Sequence, residues 1–321
     1  MPTHGMSLGD YQVFKVRPLN NSDARAIGLL THQIYAEIGQ RPAGSIEKIE
    51  RLFNVDWLQN GAGLVLEKSG KIIGYGWARV SVWHQKDIVN MGLYLGSEAR
   101  GKDCYHLLTD ELFTIAQTLA KKFRVNEAMI FYRSTDNIHP PILMELGFSL
   151  HPISMLGFQH NLESLPEYQP ISGITITPID LKRERQELSA LAQQVFDDIP
   201  NQGEPVSDVY LDWETSDSRF QPEQFLFARA GNKPIGYLLI FRDDRNQELI
   251  YEIAEFGVLP QWRHQGIGWA LLVYALQWIK NQGAKFALVA SFSSNPVLSL
   301  YWRLGFRPDP SRTYNFYFKS L

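Results

Sequence analysis

The sequence predicts an α/β protein built from two copies of one fold, each a mixed, mostly antiparallel sheet flanked by helices. Three observations predict it. Segments with the apolar period of strands alternate with segments that have the period of helices. The order of these segments begins again at about residue 174. Several pairs of identical residues recur along the chain at intervals of 158 to 163 residues.

The recurring residues mark corresponding points of the two halves. They are Pro18 and Pro178, Gly74 and Gly236, Arg100 and Arg263, Asn137 and Asn295, and the dipeptides Gly147-Phe148 and Gly305-Phe306. One coincidence carries little weight, whereas several in register with small changes in length indicate a duplicated domain. We therefore predict a first domain at residues 1–163, a linker at 164–173 that contains two prolines and ends in glycine, and a second domain at 174–321.

The first half is expected to begin with a strand that ends at Pro18 and a helix that Asn20-Asn-Ser-Asp would cap. Residues 36–60 are irregular to helical and include Trp57. A hairpin at 64–80 has Ser69-Gly70 as its turn. The elements that follow are a strand at 88–95, a long amphipathic helix after Arg100, a strand at 128–132, a short helix at 137–146 and a strand at 155–160.

The second half repeats this order. A strand at 174–178 and a helix at 181–196 precede a hairpin at 225–241 that turns at Gly231-Asn232. The later elements are a buried strand at 249–259, a helix whose apolar face is Leu271, Leu272, Ala275, Leu276 and Ile279, a strand at 285–290, a short helix at 295–304 and a strand at 314–319. Gly283 stands where a C-terminal cap of the long helix is expected.

Composition limits the class of protein. The chain has 321 residues, is 45% hydrophobic and 20% charged, and carries a formal net charge of −3, which gives no support for a nucleic-acid or membrane surface. Cys104, which we expect to be buried, is the only cysteine and excludes an intrachain disulfide, and no histidine spacing indicates a metal site. No secretory signal or long apolar window is present. These features predict a soluble cytoplasmic protein, either a monomer or a homodimer.

The turn between the strand at 249–259 and the long helix has the form Arg263-His-Gln-Gly266-Ile-Gly268. Glycines let the backbone approach a ligand closely, and the amides at a helix start carry partial positive charge. That combination suits a pyrophosphate. A plain strand-to-helix turn is the alternative, but it would not need the charges of Arg263 and His264.

A second signature lies downstream, with the form Asn295-x5-Tyr301-x3-Gly305-Phe306. With both motifs in this order, the chain resembles the GNAT superfamily of acetyl-CoA-dependent N-acetyltransferases over residues 174–321, and in a degraded form over residues 10–160. The resemblance implies acetyl-CoA as co-substrate and transfer of an acetyl group to a primary amine. It also implies a set of cofactor-binding residues, namely Phe256, Gly257, Val258, Arg263, His264, Gln265, Gly266, Ile267, Gly268, Trp269 and Asn295.

Within that set, the resemblance implies that amides from Gln265 to Trp269 hold the pyrophosphate. The strand at 256–258 would splay from its neighbour and admit pantetheine, and an amide near Val258 would polarise the acetyl carbonyl. Asn295 has a complete structural explanation as well, because asparagine followed by Pro296 is a common helix start.

Three residues are candidates for proton transfer. By the resemblance, the hydroxyl of Tyr301 would protonate the departing CoA thiolate. A core tyrosine is the alternative. The general base that takes a proton from the amine is expected to be Glu252 or Glu255, which point to opposite faces of a regular strand unless a bulge changes their parity. Either carboxylate could instead be solvated or ion-paired.

The first half departs from the pattern at Arg100-Gly-Lys-Asp103-Cys-Tyr105, with Asp103 and Tyr105 in place of the two glycines. Asp103 would oppose a pyrophosphate by roughly 1–4 kcal/mol at contact distance. Tyr105 would block close backbone approach, and Leu143 replaces the tyrosine equivalent to Tyr301. We therefore predict that the first domain keeps the fold and binds no acetyl-CoA.

The acceptor is predicted only in outline. The segment from Asp197 to Arg219 is rich in acidic residues, and Asp197, Asp198 and Trp213 are candidate substrate contacts. An acidic rim would attract a small cationic amine, such as a polyamine or an aminoglycoside. The alternative is a solvated acidic loop. Two other functions stay open, a protein or peptide amino-terminal acetyltransferase and a CoA-binding sensor without turnover.

Overall fold

The structure is a computed structural model, and it describes residues 14–38, 46–47, 49–50, 58, 60–83, 86–198, 208–243 and 249–321. Trp57 lies outside these ranges. Within the described helices, the side chains of Asp103 and Trp213 are also outside the description, so their predicted roles stay predictions.

The fold class is confirmed: strands alternate with helices along the chain, and the strands form a large mixed sheet. The first half of the chain contains β1 Phe14–Pro18, α1 Ala24–Glu37, β2 Gly61–Lys68, β3 Lys71–Trp83, β4 Lys86–Leu95, α2 Lys102–Phe123, β5 Glu127–Arg133, α3 His139–Glu145 and β6 Ser149–His160.

The second half repeats the order of the elements described in the first. It contains β7 Ile174–Pro178, α4 Leu181–Phe196, α5 Asp208–Thr215, β8 Phe225–Ala230, β9 Lys233–Asp243, β10 Ile250–Val258, α6 Ile267–Asn281, β11 Phe286–Phe292, α7 Leu298–Leu304, β12 Arg307–Pro308 and β13 Tyr314–Ser320. In the described part of the chain, no helix combines the length and apolar character needed to cross a membrane.

The chain divides into two compact units. The first runs to Ser81 and adds Asp87–Ile130 and Phe318–Leu321, and the second comprises Val82–Lys86 and Phe131–Tyr317. These units differ from the halves of the sequence repeat because β6, which closes the first half, is paired antiparallel with β11 of the second. The predicted repeat boundary at 164–173 stays a prediction.

Each unit has the same strand arrangement. In the first unit the order is β1-β2-β3-β4-β5, with β4 and β5 parallel. In the second the order is β7-β8-β9-β10-β11-β6, with β10 and β11 parallel. In each unit the first strand of the parallel pair, β4 or β10, is followed by the turn that contains the arginine and then by the long helix. The second strand of the pair, β5 or β11, follows that helix. The turn therefore lies at the C-terminal end of β4 or β10.

Helices cover both faces of the sheet in the second unit. A Cβ atom on Gly257 of β10 would lie 2.1 Å from Cγ1 of Val195, so α4 packs directly on the backbone there and only glycine fits. On the other face, a Cβ on Gly236 of β9 would lie 3.5 Å from Cδ1 of Leu271, which belongs to α6. The fully buried residues of this core include Phe225, Phe227, Ile240, Leu271, Ala275 and Leu276.

Candidate active site

The two parallel strands of the second unit separate at one point. The pairing of β10 with β11 begins at Ile250 and Phe286 and ends at Ile253 and Val289. Beyond Ile253, β10 continues to Val258 paired with β9 alone, while β11 continues to Phe292 paired with β6. The edge of β10 at residues 256–258 therefore faces a gap in the sheet, where its backbone groups are able to bind an extended ligand.

A β-bulge in β10 lies at the start of this gap. Against β9, the register runs from Ile253 opposite Ile240 to Glu255 opposite Leu239, so Ala254 is the extra residue. A bulge shifts the side-chain alternation by one residue. Glu252, opposite Phe241, and Glu255 thus point to the same face of the sheet, whereas a regular strand would separate them.

The turn that follows β10 has a left-handed backbone at two residues. His264 has φ of 60°, and Gly266, which caps α6, has φ of 81°. A Cβ on Gly268 would meet Leu300 at 3.8 Å and Phe256 at 3.9 Å, which are ordinary contacts. The first amides of α6 have no carbonyl partner within the helix. This geometry forms a cradle for an anion at the end of the gap, which fits the pyrophosphate of CoA.

Arg263 ties this turn to the helix on the opposite face. Its Nε donates to the carbonyl of Val258 at 3.0 Å, and its Nη2 donates to the carbonyl of Val195 at 2.7 Å. Both terminal nitrogens also bind Asp198, at 2.7 and 2.9 Å. The hydrogen bonds from Arg263 lower the pKa of the Asp198 carboxyl. The sequence predicted that Arg263 contacts the cofactor. In the structure its guanidinium group is hydrogen-bonded within the protein and stabilises the turn. One of its partners is Asp198, which was predicted to contact substrate.

Tyr301 of α7 is buried on the α6 face of the sheet. Its ring lies 5.6 Å from Phe306, 5.8 Å from Phe158 and 6.1 Å from Phe256 between centroids. Burial raises the pKa of its hydroxyl above the ordinary range, so the group stays protonated. Among the described residues, no hydrogen-bond partner of this hydroxyl is present. The geometry gives a protonated donor next to the unpaired edge of β10.

Asn295 acts as a cap in this structure. Its Oδ1 accepts a hydrogen bond from the amide of Val297 at 3.0 Å, and its carbonyl accepts from the amide of Leu298 at 3.3 Å. Both bonds fix the start of α7, which carries Tyr301. The structural explanation given for Asn295 therefore applies, and a cofactor contact through its side chain stays a prediction.

The two carboxylates of β10 have different partners. Oε2 of Glu252 accepts a hydrogen bond from Nη2 of Arg312 at 2.7 Å in an ion pair. Oε1 of Glu255 accepts a hydrogen bond from the hydroxyl of Tyr237 on β9. Both lie on the α4 face, opposite the face that holds Tyr301. The gap between β10 and β11 therefore has acidic residues on one side and a tyrosine hydroxyl on the other.

A cavity of about 680 Å³ lies at the C-terminal end of α7. It is lined by residues of 159–166, by Phe286 at the start of β11, by Arg303 at the end of α7 and by Arg307 of β12. The guanidinium group of Arg303 also lies over the ring of Trp269, 5.2 Å from its centroid, in the first turn of α6. Arg303 thus lines the cavity and also contacts the first turn of α6. Its positive charge would suit a phosphate group other than the pyrophosphate.

The corresponding turn in the first unit has a different backbone. Arg100 has φ of −84° and Gly101 has φ of −63°, and neither residue is left-handed. The helix α2 begins at Lys102, so it starts two residues closer to the arginine than α6 does. Tyr105 and Cys104 are buried in its first turn. The loop that forms the cradle in the second unit is absent from the described turn of the first.

The acidic segment before β8 is largely ion-paired. Arg185 of α4 binds Asp208 at 3.0 Å and also binds Asp212. The pKa of Asp217 is lowered to about 2 by its hydrogen bond from Arg219. These arginines offset much of the negative charge in the segment, which favours the solvated-loop interpretation over an acidic rim. Asp197 is exposed at the end of α4.

Three residues of this region were not identified from the sequence. Arg312 and Arg303 are far in sequence from the residues they contact, and no local pattern signals such pairs. Tyr237 had a usable signal, since Ile235-Gly-Tyr237 repeats Ile73-Gly-Tyr75 of the first half. Among the described residues, no cluster of His, Cys, Asp or Glu side chains is arranged to hold a metal ion.

Comparison with known protein families decides the classification. The model of the acetyltransferase (GNAT) family matches residues 188–306. This part of the chain is a GNAT domain. The match begins in α4 and ends just after α7, so it contains the gap, the turn and Tyr301. The resemblance expected from the two motifs is confirmed, and members of the GNAT family use acyl-CoA donors.

Individual relatives agree with this assignment. A mycothiol acetyltransferase from Pseudarthrobacter chlorophenolicus is 26% identical over 146 residues, which cover 44% of this chain and 45% of the relative. The match thus spans less than half the length of that curated protein.

Solved structures are similar over nearly the whole chain. A GCN5-related N-acetyltransferase from Sphaerobacter thermophilus covers 96% of this chain and 95% of its own, with a TM-score of 0.68 and 18% identity. A tandem GNAT protein from the clavulanic acid biosynthesis pathway covers 96% of this chain and 98% of its own, with a TM-score of 0.70 and 14% identity. At these identities the likeness shows the fold, and the whole chain has the tandem GNAT fold.

Proposed function

We propose that this protein transfers an acetyl group from acetyl-CoA to a primary amine of a small molecule, at a single site in the second unit. The observation that carries the proposal is the gap between β10 and β11, with the cradle of Gly266 at its end, Tyr301 on one face and two carboxylates on the other. A binding module that only holds CoA has no need of proton-transfer groups on both faces.

The donor would enter from the face of α6 and α7. Amides from Gln265 to Trp269 would bind the pyrophosphate, and the cavity beside Arg303 would take the phosphorylated nucleotide end. The free edge of β10 at 256–258 would pair with pantetheine, and an amide near Val258 would stabilise the negative charge that develops on the acetyl oxygen, a contribution of about 3 kcal/mol. Arg263 would keep the turn in position through its bonds to Val258 and Val195.

The acceptor would enter from the face of α4. Acetyl-CoA supplies an activated acetyl group as a thioester. A carboxylate of β10 would take one proton from the ammonium group, and the amine nitrogen would bond to the acetyl carbon. As the bond from that carbon to sulfur breaks, the nitrogen would release a second proton to solvent, from which the tyrosine is reprotonated after turnover. The hydroxyl of Tyr301 would give its proton to the departing thiolate. The negative charge of the β10 carboxylates would also favour a protonated amine at this position.

The test is release of free thiol from acetyl-CoA by the full chain with a panel of amines. The panel spans amino acids, amino sugars, polyamines, aminoglycosides and peptides with a free amino terminus. We expect release that depends on one of the small amines, together with an acetylated product of the matching mass. Release with peptides alone would favour the amino-terminal acetyltransferase. Binding of CoA without release across the panel would favour the sensor and contradict the proposal.

A further inference from the structure

A segment of the second unit lies along α6, the helix whose first turn forms the anion cradle. In the last turn of the helix, Nζ of Lys280 donates to the carbonyl of Glu163 at 3.2 Å. One turn earlier, Nε2 of Gln277 donates to the carbonyl of Pro166 at 3.0 Å. The later residue of the segment thus contacts the earlier residue of the helix, so the segment runs antiparallel to α6. We call residues 163–171 the strap.

The strap continues in this direction to the cradle. The ring of Tyr168 makes an edge contact with the ring of Tyr274, with centroids 5.7 Å apart. Three residues later, Cδ1 of Ile171 lies 3.7 Å from the position of a Cβ atom on Gly266, the residue that caps α6. The carbonyl of Ile171 accepts a hydrogen bond from the amide of Ile174 at 3.0 Å, in the turn that leads into β7. The position of Ile171 is therefore fixed by contacts on both sides of it in sequence.

The composition of α6 agrees with a helix that is covered on two faces. Its only charged residue is Lys280 in the last turn, whereas α2, the equivalent helix of the first unit, also carries charges along its middle, such as Asp110. Val273 follows Leu271 by two positions, a rotation of about 200°, so it faces away from the sheet that Leu271 contacts. Val273 is nevertheless only 1% exposed. A helix that is apolar all round is buried all round. The strap is thus a packed layer of the second unit.

The side chain of Ile171 gives the cradle an apolar wall. It is half-buried beside Gly266, whereas the two residues before it, Gln169 and Pro170, are exposed. The end of the strap therefore turns Ile171, and not these neighbours, toward the helix start. A branched apolar side chain there keeps water from one side of the amides that follow Gly266. Hydrogen bonds from amides to an anion are stronger where water is excluded.

We propose that Ile171 is part of the CoA site of the second unit, where it shields the bound pyrophosphate from water, so that the strap takes part in binding the cofactor. The inference rests on the proposed function, because it takes the anion in the cradle to be the pyrophosphate of CoA. The GNAT family model matches from residue 188 onward, so the strap lies outside the match. The predicted linker at 164–173 would thus contribute a binding residue in addition to joining the two halves of the sequence.

The test is titration calorimetry of CoA with the full chain, without an amine. We expect Ile171→Asp to raise the dissociation constant by a factor of about five to several hundred, because its carboxylate would face the pyrophosphate. Ile171→Asn has nearly the shape of aspartate without the charge, and it should raise the dissociation constant less, by about three- to tenfold, through loss of the apolar wall. Gln169→Asp is the matched control, since it adds the same charge to an exposed residue of the strap, and it should have an effect of less than about twofold.

Tyr168→Ala separates the wall of the cradle from the packing of the strap. It removes the contact with Tyr274, which lies about 12 Å along the helix from Gly266. We expect it to lower the free energy of unfolding in chemical denaturation, while the dissociation constant of CoA changes less than about threefold. Equal dissociation constants for Ile171→Asp and Gln169→Asp would overturn the inference. An effect of Tyr168→Ala on CoA as large as that of Ile171→Asp would also overturn it, because the loss would then come from the fold of the strap.

The absence of an amine keeps this inference separate from the proposed acetyl transfer. If the unmodified chain and Ile171→Asp bind CoA equally well, the inference fails and the proposed function stands. If Ile171→Asp weakens CoA binding as expected but no amine releases thiol, the proposed transfer fails and the role of Ile171 stands. If the unmodified chain binds no CoA, both fail.

Discussion

Arg263 and Arg100 make the same hydrogen bond at the same point of the two copies of the fold. The Nε atom of Arg263 donates to the carbonyl of Val258 at 3.0 Å, and the Nε atom of Arg100 donates to the carbonyl of Leu95 at 3.1 Å. Each acceptor lies five residues before its arginine. The arginine is thus retained in the copy that lacks the glycines, which indicates that it serves the fold of the turn in both.

Removing either arginine should therefore destabilise the chain. Arg263 also binds Asp198, and Arg100 also binds Glu37, so each links its turn to the end of the first helix of its repeat. We expect Arg263→Met and Arg100→Met each to lower the free energy of unfolding by about 1–3 kcal/mol, because carbonyl groups near the turn lose their donor. Chemical denaturation measures this. Only Arg263→Met should also weaken CoA binding in calorimetry, and an equal loss from Arg100→Met would contradict the account.

Gly266→Asp should abolish tight binding of CoA. It introduces the residue that the first half has at this position, and the carboxylate would face the pyrophosphate at a cost of roughly 1–4 kcal/mol. We expect the dissociation constant to rise by a factor of about five to several hundred. Gly283→Asp is the matched control, because Gly283 has a similar φ of 77° at the far end of α6 and nothing within 4 Å of a Cβ. If both substitutions raised the dissociation constant of CoA equally, the weaker binding would result from backbone strain and not from the charge of the carboxylate.

Tyr301→Phe should reduce turnover without altering the fold. The hydroxyl has no protein partner in the described part of the chain, so its removal leaves no orphaned group, and we expect the free energy of unfolding to change by less than about 0.5 kcal/mol. We expect kcat for thiol release to fall about 10²- to 10⁴-fold with CoA affinity nearly unchanged. Parallel losses of kcat and CoA affinity would indicate a role in packing.

The pH dependence of the same reaction follows from burial of Tyr301. Because burial raises the pKa of its hydroxyl, the acid form is retained as pH rises through neutral. Loss of kcat on the alkaline side should therefore be absent up to about pH 10, the ordinary value for tyrosine. A fall in kcat between pH 8 and about pH 9 that Tyr301→Phe removes would contradict this assignment.

Arg303 is expected to recognise the phosphorylated nucleotide end of CoA. It lines the cavity beside α7 and lies over Trp269. Arg303→Met should raise the dissociation constant of CoA about three- to tenfold, since a partly exposed ion pair contributes about 1 kcal/mol. It should leave the affinity for CoA without its 3′-phosphate nearly unchanged. Calorimetry with both ligands measures this, and equal losses for the two would place Arg303 elsewhere in the site.

The sequence predicted the order of elements and the turn well because both depend on local patterns. The repeated Gly-Phe and Pro positions and the turn at Ser69-Gly70 each reflect backbone requirements that short segments express. The helix start at Asn295 was also accessible, because a capping side chain acts on amides only two or three residues away.

The hydrogen-bond partners of the candidate residues could not be predicted from local sequence patterns. Arg312 is 60 residues from Glu252, and Arg263 is 65 residues from Asp198. Such pairs depend on the packing of strands and helices that meet only in the folded chain. The bulge at Ala254 likewise depends on the register between β9 and β10, and this register reversed the relative direction of the two carboxylates.

The most direct test of a single acetyl-CoA site is the stoichiometry of CoA binding to the unmodified chain, measured by titration calorimetry. We predict one CoA per chain, bound with lower affinity in Gly266→Asp. Replacement of Asp103 and Tyr105 by glycine tests whether those two residues alone exclude a second CoA. Two CoA molecules bound per unmodified chain, or one bound with unchanged affinity in Gly266→Asp, would contradict a single site in the second unit.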